Sequence, residues 1–404
     1  MNFPYCFRNL PCYLPLVTPK FKMWVVSRRG LWVVLFALSL LVWFVMQCAT
    51  DYAPVIAVHT LKADDAMLHL AADAGFDAVV QVFSWREIEP RRDDWYWDYS
   101  DSLRCAAEHY GLDVIARLDQ QPYWATKPER EGNTPPDNLD DYANVARAVA
   151  QRYRGRIRGY IIWNEPNLAR EWGNRPPDAA AYTEMLCRAY RAIKSADPQA
   201  VVVSAGLAPT NDQTAQAMDD RIFLETMYRA GARECFDVLG VHAYGFGYPP
   251  DDARGAHQGL NVARVSDLRE MMQVYGDQSK PVWITELGWT TRAMDEHAWQ
   301  TVLPEEQANY LVGARQRIQR EWNWAHVVTI WNLSRGLPPT NEMAGYSLLD
   351  EEGKPKPAYN ALRAQLSAHW KQQLSRLANR VAHVGPSSIP ILAADEIVHL
   401  GDND

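Results

Sequence analysis

Two glutamates are the residues from which chemistry can be argued first. Gly159-Tyr160-Ile161-Ile162-Trp163 leads into Asn164-Glu165-Pro166, and Val282-Trp283-Ile284-Thr285 leads into Glu286-Leu287-Gly288. Each apolar run suits a buried strand, and the proline after Glu165 stops the first from continuing, so both carboxylates are read at strand carboxyl ends. In a parallel barrel those ends share one face, the face where such barrels hold their reactive groups. A carboxyl pair there, one protonated and one ionised, is equipment for cutting a glycosidic bond. The plainer alternative makes each glutamate a carboxylate at a helix start.

The elements that must position the pair repeat eight times. Short β-branched runs occur at Val55–His59, Ala78–Phe83, Asp113–Leu118, Gly159–Trp163, Ala200–Ser204, Val238–His242, Val282–Thr285 and Val327–Trp331. Helical patterns alternate with them over Asp64–Ala74, Tyr99–Tyr110, Leu139–Tyr153, Asp178–Ala196, Arg221–Ala230, Val262–Tyr275, Pro304–Glu321 and from Ala358 onward. Uninterrupted β/α alternation selects a parallel sheet, and eight repeats select a (β/α)₈ TIM barrel. Helix-to-strand links such as Gly75-Phe76-Asp77 are brief, whereas strand-to-helix links such as Ala243–Asn261 and Glu286–Leu303 are long. The strand-exit face is therefore the elaborated one, and both glutamates open onto it.

Strand six ends in His242-Ala243-Tyr244, whose hydrogen bonds would favour the charged form of Glu286, while Glu165 beside Trp163 would keep its proton longer. Asp119, ending strand three, is read as a binder of sugar hydroxyls. Trp85, Trp124 and Trp289 lie on active-face loops and are candidates for stacking on sugar rings, with loop packing as the equal alternative.

Asn164-Glu165-Pro166 on strand four and Thr285-Glu286 on strand seven resemble the pattern of the clan A retaining β-glycoside hydrolases, most like the family 39 and family 5 (cellulase-like) branches. The resemblance spans roughly residues 53 to 370, including Phe83–Pro90 and Gly353–Tyr359. It implies Glu165 as acid/base, Glu286 as nucleophile, Asn164 on the sugar 2-hydroxyl, His242 and Tyr244 as a supporting pair and Trp331 as an aromatic floor. One departure stands out: strand two carries Gln81 where these families often place an arginine, and whether Arg117 on strand three compensates is left open.

Composition bounds the alternatives. A net charge of -8 without long basic runs argues against nucleic acid as a partner. Six cysteines with no Cys-x-x-Cys pair argue against a metal cage, and neither a metal nor another cofactor is expected. Cys105, Cys187 and Cys235 are read as buried thiols, with pairing left open.

Leu31–Met46 is an uncharged run preceded by Lys20, Lys22, Arg28 and Arg29. It reads as an N-terminal membrane-spanning or signal-anchor helix that sends the barrel out of the cytoplasm, with secretion after cleavage as the alternative. Translation from Met23 would leave a complete targeting segment. The expected divisions are a cytoplasmic segment at 1–30, the anchor at 31–47, the barrel at 48–378 and a tail at 379–404. The function expected is a membrane-anchored retaining β-glycosidase acting on an oligo- or polysaccharide; a non-catalytic glycan-binding surface protein and a transglycosylase are the alternatives.

Overall fold

A computed structural model of the chain describes residues 53–127, 132–293 and 295–367. The apolar run at 31–46 and the tail from 379 lie outside these residues. Among the described residues no helix is long and apolar enough to cross a membrane.

Eight strands carry the fold: β1 Val55–Thr60, β2 Ala78–Ser84, β3 Asp113–Asp119, β4 Gly159–Ile162, β5 Val202–Ser204, β6 Leu239–Tyr244, β7 Val282–Gly288 and β8 Ala325–Trp331. All neighbours run parallel in the order β5-β4-β3-β2-β1-β8-β7-β6. The first and last strands of the chain are thus adjacent, and the sheet curls on itself. Its remaining seam, between β5 and β6, is joined by a bridge between Val203 and Val238, with Ser204 N donating to Val238 O at 3.1 Å. The result is a nearly closed (β/α)₈ barrel.

The helices are α1 Asp65–Asp73, α2 Asp98–His109, α3 Leu139–Arg152, α4 Ala179–Ala196, α5 Asp220–Arg229, α6 Val265–Val274 and α7 Pro304–Glu321, then α8 over residues 357–367. Their starts follow from local chemistry. The Asp178 carboxylate accepts from Ala181 N at 2.9 Å at the head of α4, and Pro304 opens α7 where no amide partner is required.

Strands β2, β4 and β7 are buried along their whole length, which is why they read as continuous apolar runs rather than alternating ones. Ala57, Val80, Ile115, Ile161, Val203, Trp283 and Val327 fill the barrel interior, while a larger cluster fills the shell between strands and helices. Trp283 is accommodated because residue 159 is glycine: a Cβ there would sit 2.6 Å from its ring. This packed plug closes the barrel below the reactive face.

Cys187 of α4 and Cys235, just ahead of β6, form a disulfide with Cα atoms 4.6 Å apart. Cys105 is an exposed free thiol on α2. The expectation of buried thiols is corrected at all three positions. Spacing along the chain could not reveal that the α4 face and the segment before β6 converge.

Candidate active site

Leaving β4, the backbone turns sharply. Trp163 at φ 73° and Glu165 at φ 38° both adopt the left-handed region, which costs a non-glycine residue about 1–3 kcal/mol and persists only where surrounding contacts impose it. Those contacts are present. Glu165 N donates to Gly206 O at 3.0 Å, and Trp163 Nε1 donates to Glu171 O at 2.8 Å. Asn167, fully buried, accepts from Ala208 N at 2.9 Å and donates to Ala208 O and Met218 O at 2.8 and 3.0 Å. The loops after β4 and β5 are thereby joined, and the Glu165 side chain is aimed across the mouth.

On the opposite side, pairing of β6 with β7 shifts register between Val241 and His242, and that of β7 with β8 shifts between Ile284 and Leu287. Such irregularities re-aim side chains at barrel rims, and here they bracket His242 and Glu286. One carboxylate oxygen from each glutamate and a His242 nitrogen lie within 4.8 Å of one another. His242 Nδ1 is 2.9 Å from Glu165 Oε1 and 3.5 Å from Glu286 Oε2. Tyr244 donates its hydroxyl to Glu286 Oε2. Arg117 reaches Glu286 Oε1 and Asn164 Oδ1 through Nη1 at 3.2 and 3.1 Å, while its Nε faces Asp119 at 2.8 Å. Gly206 makes room for this cluster, since a Cβ there would lie 2.1 Å from the His242 ring. The three ligand-capable groups could close on a divalent cation, but His242 Nδ1 is already engaged by Glu165.

Burial pushes the Glu165 carboxyl upward, but the His242 hydrogen bond and charge, with Arg170, take it down to about 2. Arg170 Nη2 donates to Glu165 Oε2 at 3.1 Å. Glu286 is raised, chiefly by burial and further by the Glu165 charge, against the lowering effects of His242, Arg117 and Tyr244. His242 is also raised: burial acts to lower it, and the two carboxylates overcome this. The expected order, in which Glu286 gives up its proton before Glu165, is opposite to the shifts here, which lower Glu165 and raise Glu286. The reason is that His242 sits closer to Glu165, and that Arg170 adds a cation the sequence reading did not anticipate.

The remaining expected residues fall into two groups. Asn164, His242, Tyr244 and Trp331 gather at the mouth; Trp331 stays partly exposed with its ring 4.6 Å, edge-on, from His59. Asp119, Trp85 and Trp289 do not present themselves to a ligand. Asp119 is 1% exposed against Arg117, so its carboxylate holds that guanidinium rather than reaching sugar hydroxyls. Trp85 and Trp289 are each 1% exposed, packed edge-on against Trp124 and Tyr310, which leaves neither a face for a sugar. Trp124 is partly exposed, but Arg92 lies over its ring at 4.3 Å.

The Gln81 departure is also explained. Gln81 accepts from Thr60 Oγ1 at 2.7 Å and Ala63 N at 3.0 Å, tying down the exit from β1, and Arg117 from β3 supplies the cation beside Glu286. Two residues of the site were not singled out from sequence. Arg170 is one; Glu171 is the other, pushed up to about 7 by burial and the Glu165 charge, against a 2.9 Å hydrogen bond from Asn133. Both lie in a short 3₁₀ turn, Ala169–Glu171, whose direction no strand or helix period dictates.

A family model described as cellulase, glycosyl hydrolase family 5, matches residues 44–326, a stretch that includes both glutamates. No curated protein matches the chain. Among solved structures, the chain is similar to a family 39 glycoside hydrolase from the gut symbiont Bacteroides cellulosilyticus WH2, at 20% identity and TM-score 0.62, covering 78% of this chain and 64% of that one. It is also similar to GH5_18 from Streptomyces cattleya in complex with GlcNAc, at 20% identity and TM-score 0.56, covering 79% and 80%. A third is native xylanase 10B from Thermotoga maritima, at 16% identity and TM-score 0.52, covering 80% and 97%.

Proposed function

We propose that this chain, which belongs to glycosyl hydrolase family 5, hydrolyses glycosidic bonds as a retaining β-glycosidase in which Glu286 is the nucleophile and Glu165 the acid/base. The observation that carries this reading is the separation of the pair, with carboxylate oxygens within 4.8 Å. A retaining pair stands about 5–5.5 Å apart, whereas an inverting pair needs about 6.5–9.5 Å to seat a water.

In the first step a Glu286 oxygen bonds to the anomeric carbon, the bond to the leaving oxygen breaks, and Glu165 passes its proton to that oxygen. In the second, water attacks the anomeric carbon, its proton returns to Glu165, and Glu286 departs as a carboxylate. The proton for the first step is held close by. The His242 ring lies 2.9 Å from Glu165 Oε1 and is raised by the two carboxylates, so the two groups can exchange it without solvent. Arg117 and Tyr244 favour the ionised Glu286 that the attack requires. Tyr244 is itself pushed far above its ordinary range by burial and by Glu286, so it remains a donor. The low setting of Glu165 suits its second role, as base, better than its first.

Stereochemistry tests the proposal directly. Proton NMR of a β-glycoside undergoing hydrolysis is expected to register the β-anomer as the first sugar released. Initial appearance of the α-anomer would exclude the covalent route.

The same reading puts the barrel outside the cytoplasm, anchored through residues 31–46 and acting on an oligo- or polysaccharide. It is supported by the basic residues ahead of that run and by the Cys187–Cys235 disulfide, a bond that persists in oxidising compartments. Peptide mapping of the native protein under non-reducing conditions is expected to recover those two cysteines linked. Closing a loop across 48 residues contributes about 4 kcal/mol by chain entropy, so Cys187→Ser should lower denaturant stability by up to that amount. Free thiols at both positions would remove this support.

A further inference from the structure

Arg170 is an unusual neighbour for a general acid. Both oxygens of Glu165 are engaged by side-chain nitrogens, Oε1 by His242 and Oε2 by Arg170. A carboxyl whose two oxygens are both taken by N–H donors can hold a proton and present it to a leaving oxygen only after one donor withdraws. The two donors differ in freedom. His242 is 2% exposed and packed beneath Gly206, whereas the Arg170 side chain is 70% exposed. Arg170 is therefore the detachable one.

Its position defines what could detach it. Oε1 of Glu165 is held by buried His242, which also faces Glu286, whereas Oε2 is held by the exposed Arg170. Arg170 is close enough to Tyr244 and Tyr346 for its charge to act on both. An exposed guanidinium presents a planar fork of N–H donors that matches a carboxylate.

Resting on the acid/base role of Glu165, we infer that Arg170 recognises a carboxylate on the leaving-group sugar, a hexuronate, and that engaging it releases Glu165 Oε2 to become the proton donor. A neutral leaving group would leave Arg170 on Glu165 and slow the donor. Substrate choice and acid activation would then reside in one side chain. The direction of the electrostatics agrees, since Arg170 is among the groups that hold Glu165 low.

The probes are disaccharides with a hexuronate at the reducing end and a β-linked glucosyl, mannosyl or xylosyl unit ahead of it, together with the same disaccharides after reduction of the carboxyl. Binding is measured by calorimetry on the full chain and on its Arg170→Gln variant. The wild type is expected to favour at least one carboxylate form by about tenfold or more over its reduced counterpart, the scale of a charge-assisted pair. Arg170→Gln should lose that preference while binding the reduced form as before, which also shows that it is folded. A second readout is the pH profile on a neutral aryl glycoside: with the arginine gone, the Glu165 carboxyl rises, and the alkaline limb of kcat/KM should move to higher pH.

Equal or absent binding of all carboxylate and reduced pairs by the wild type, or a preference that survives Arg170→Gln, overturns the inference. Turnover of neutral glycosides with no carboxylate preference would keep the retaining mechanism and reject the role of Arg170. A preference with an α-anomer as first product would do the reverse.

Discussion

Replacing Glu286 with alanine is expected to lower kcat/KM on an aryl β-glycoside by about 10,000-fold or more, the scale on which removal of an enzymatic nucleophile registers. That corresponds to about 5 kcal/mol of lost transition-state stabilisation. The loss should be chemical rather than structural. Arg117, the cation that faces Glu286, keeps its second partner in Asp119 at 2.8 Å, so the substitution does not strand an unpaired buried charge. Added azide should fill the space of the missing side chain and restore turnover, yielding the α-glycosyl azide by one inversion. A variant that stays active with no added nucleophile would end the assignment.

Glu165→Ala should behave differently, because its demand depends on the leaving group. A glycoside of 2,4-dinitrophenol departs without a proton, so its first step should be little affected. Its second step, lacking a base, should become slow, which predicts a burst of phenolate followed by a low steady rate. Substrates with alkoxide leaving groups should lose about 100- to 10,000-fold, the range of general acid catalysis. Azide, needing no base, should accelerate the second step and give the β-glycosyl azide. Taking away the Glu165 charge also removes an influence that raises Glu286, so the acid limb of the surviving activity should move to lower pH. A uniform loss across all leaving groups would contradict the acid/base role.

What sequence could and could not disclose follows from the range over which each feature is determined. The eight strands were legible because a strand buried on both faces is apolar over most of its length, as β4 is throughout and β2 and β7 are apart from Gln81, Ser84, Thr285 and Glu286. Glu165 and Glu286 were legible because a carboxylate interrupting such a run at its end has few structural uses. Trp85 and Trp289 stayed open between sugar stacking and loop packing because a tryptophan on a loop looks the same in one dimension whether it faces solvent or the core; the packing against Trp124 and Tyr310 decides for the second. Asp119 was misread for a related reason, since its partner Arg117 lies on the same strand two residues earlier and both point into the barrel. The opposite shifts of the two carboxyls were beyond reach of pattern altogether, for they turn on His242 being 2.9 Å from one carboxylate and 3.5 Å from the other.

The seam between β5 and β6 carries a consequence of its own. The hydrogen bond from His242 to Glu165 crosses it, because Glu165 hangs from the β4 side by Gly206 O while His242 belongs to β6. The disulfide spans the same gap on the outer surface, fastening α4, which feeds β5, to the residues that feed β6. It acts as a hoop around the stave joint with the sparsest backbone pairing. Chemical reduction would let this joint breathe first, pulling His242 away from Glu165 while the other seven joints still hold. Catalytic competence would then fail at a milder insult than folding does, and the redox state of the surroundings would act as a fuse on the enzyme.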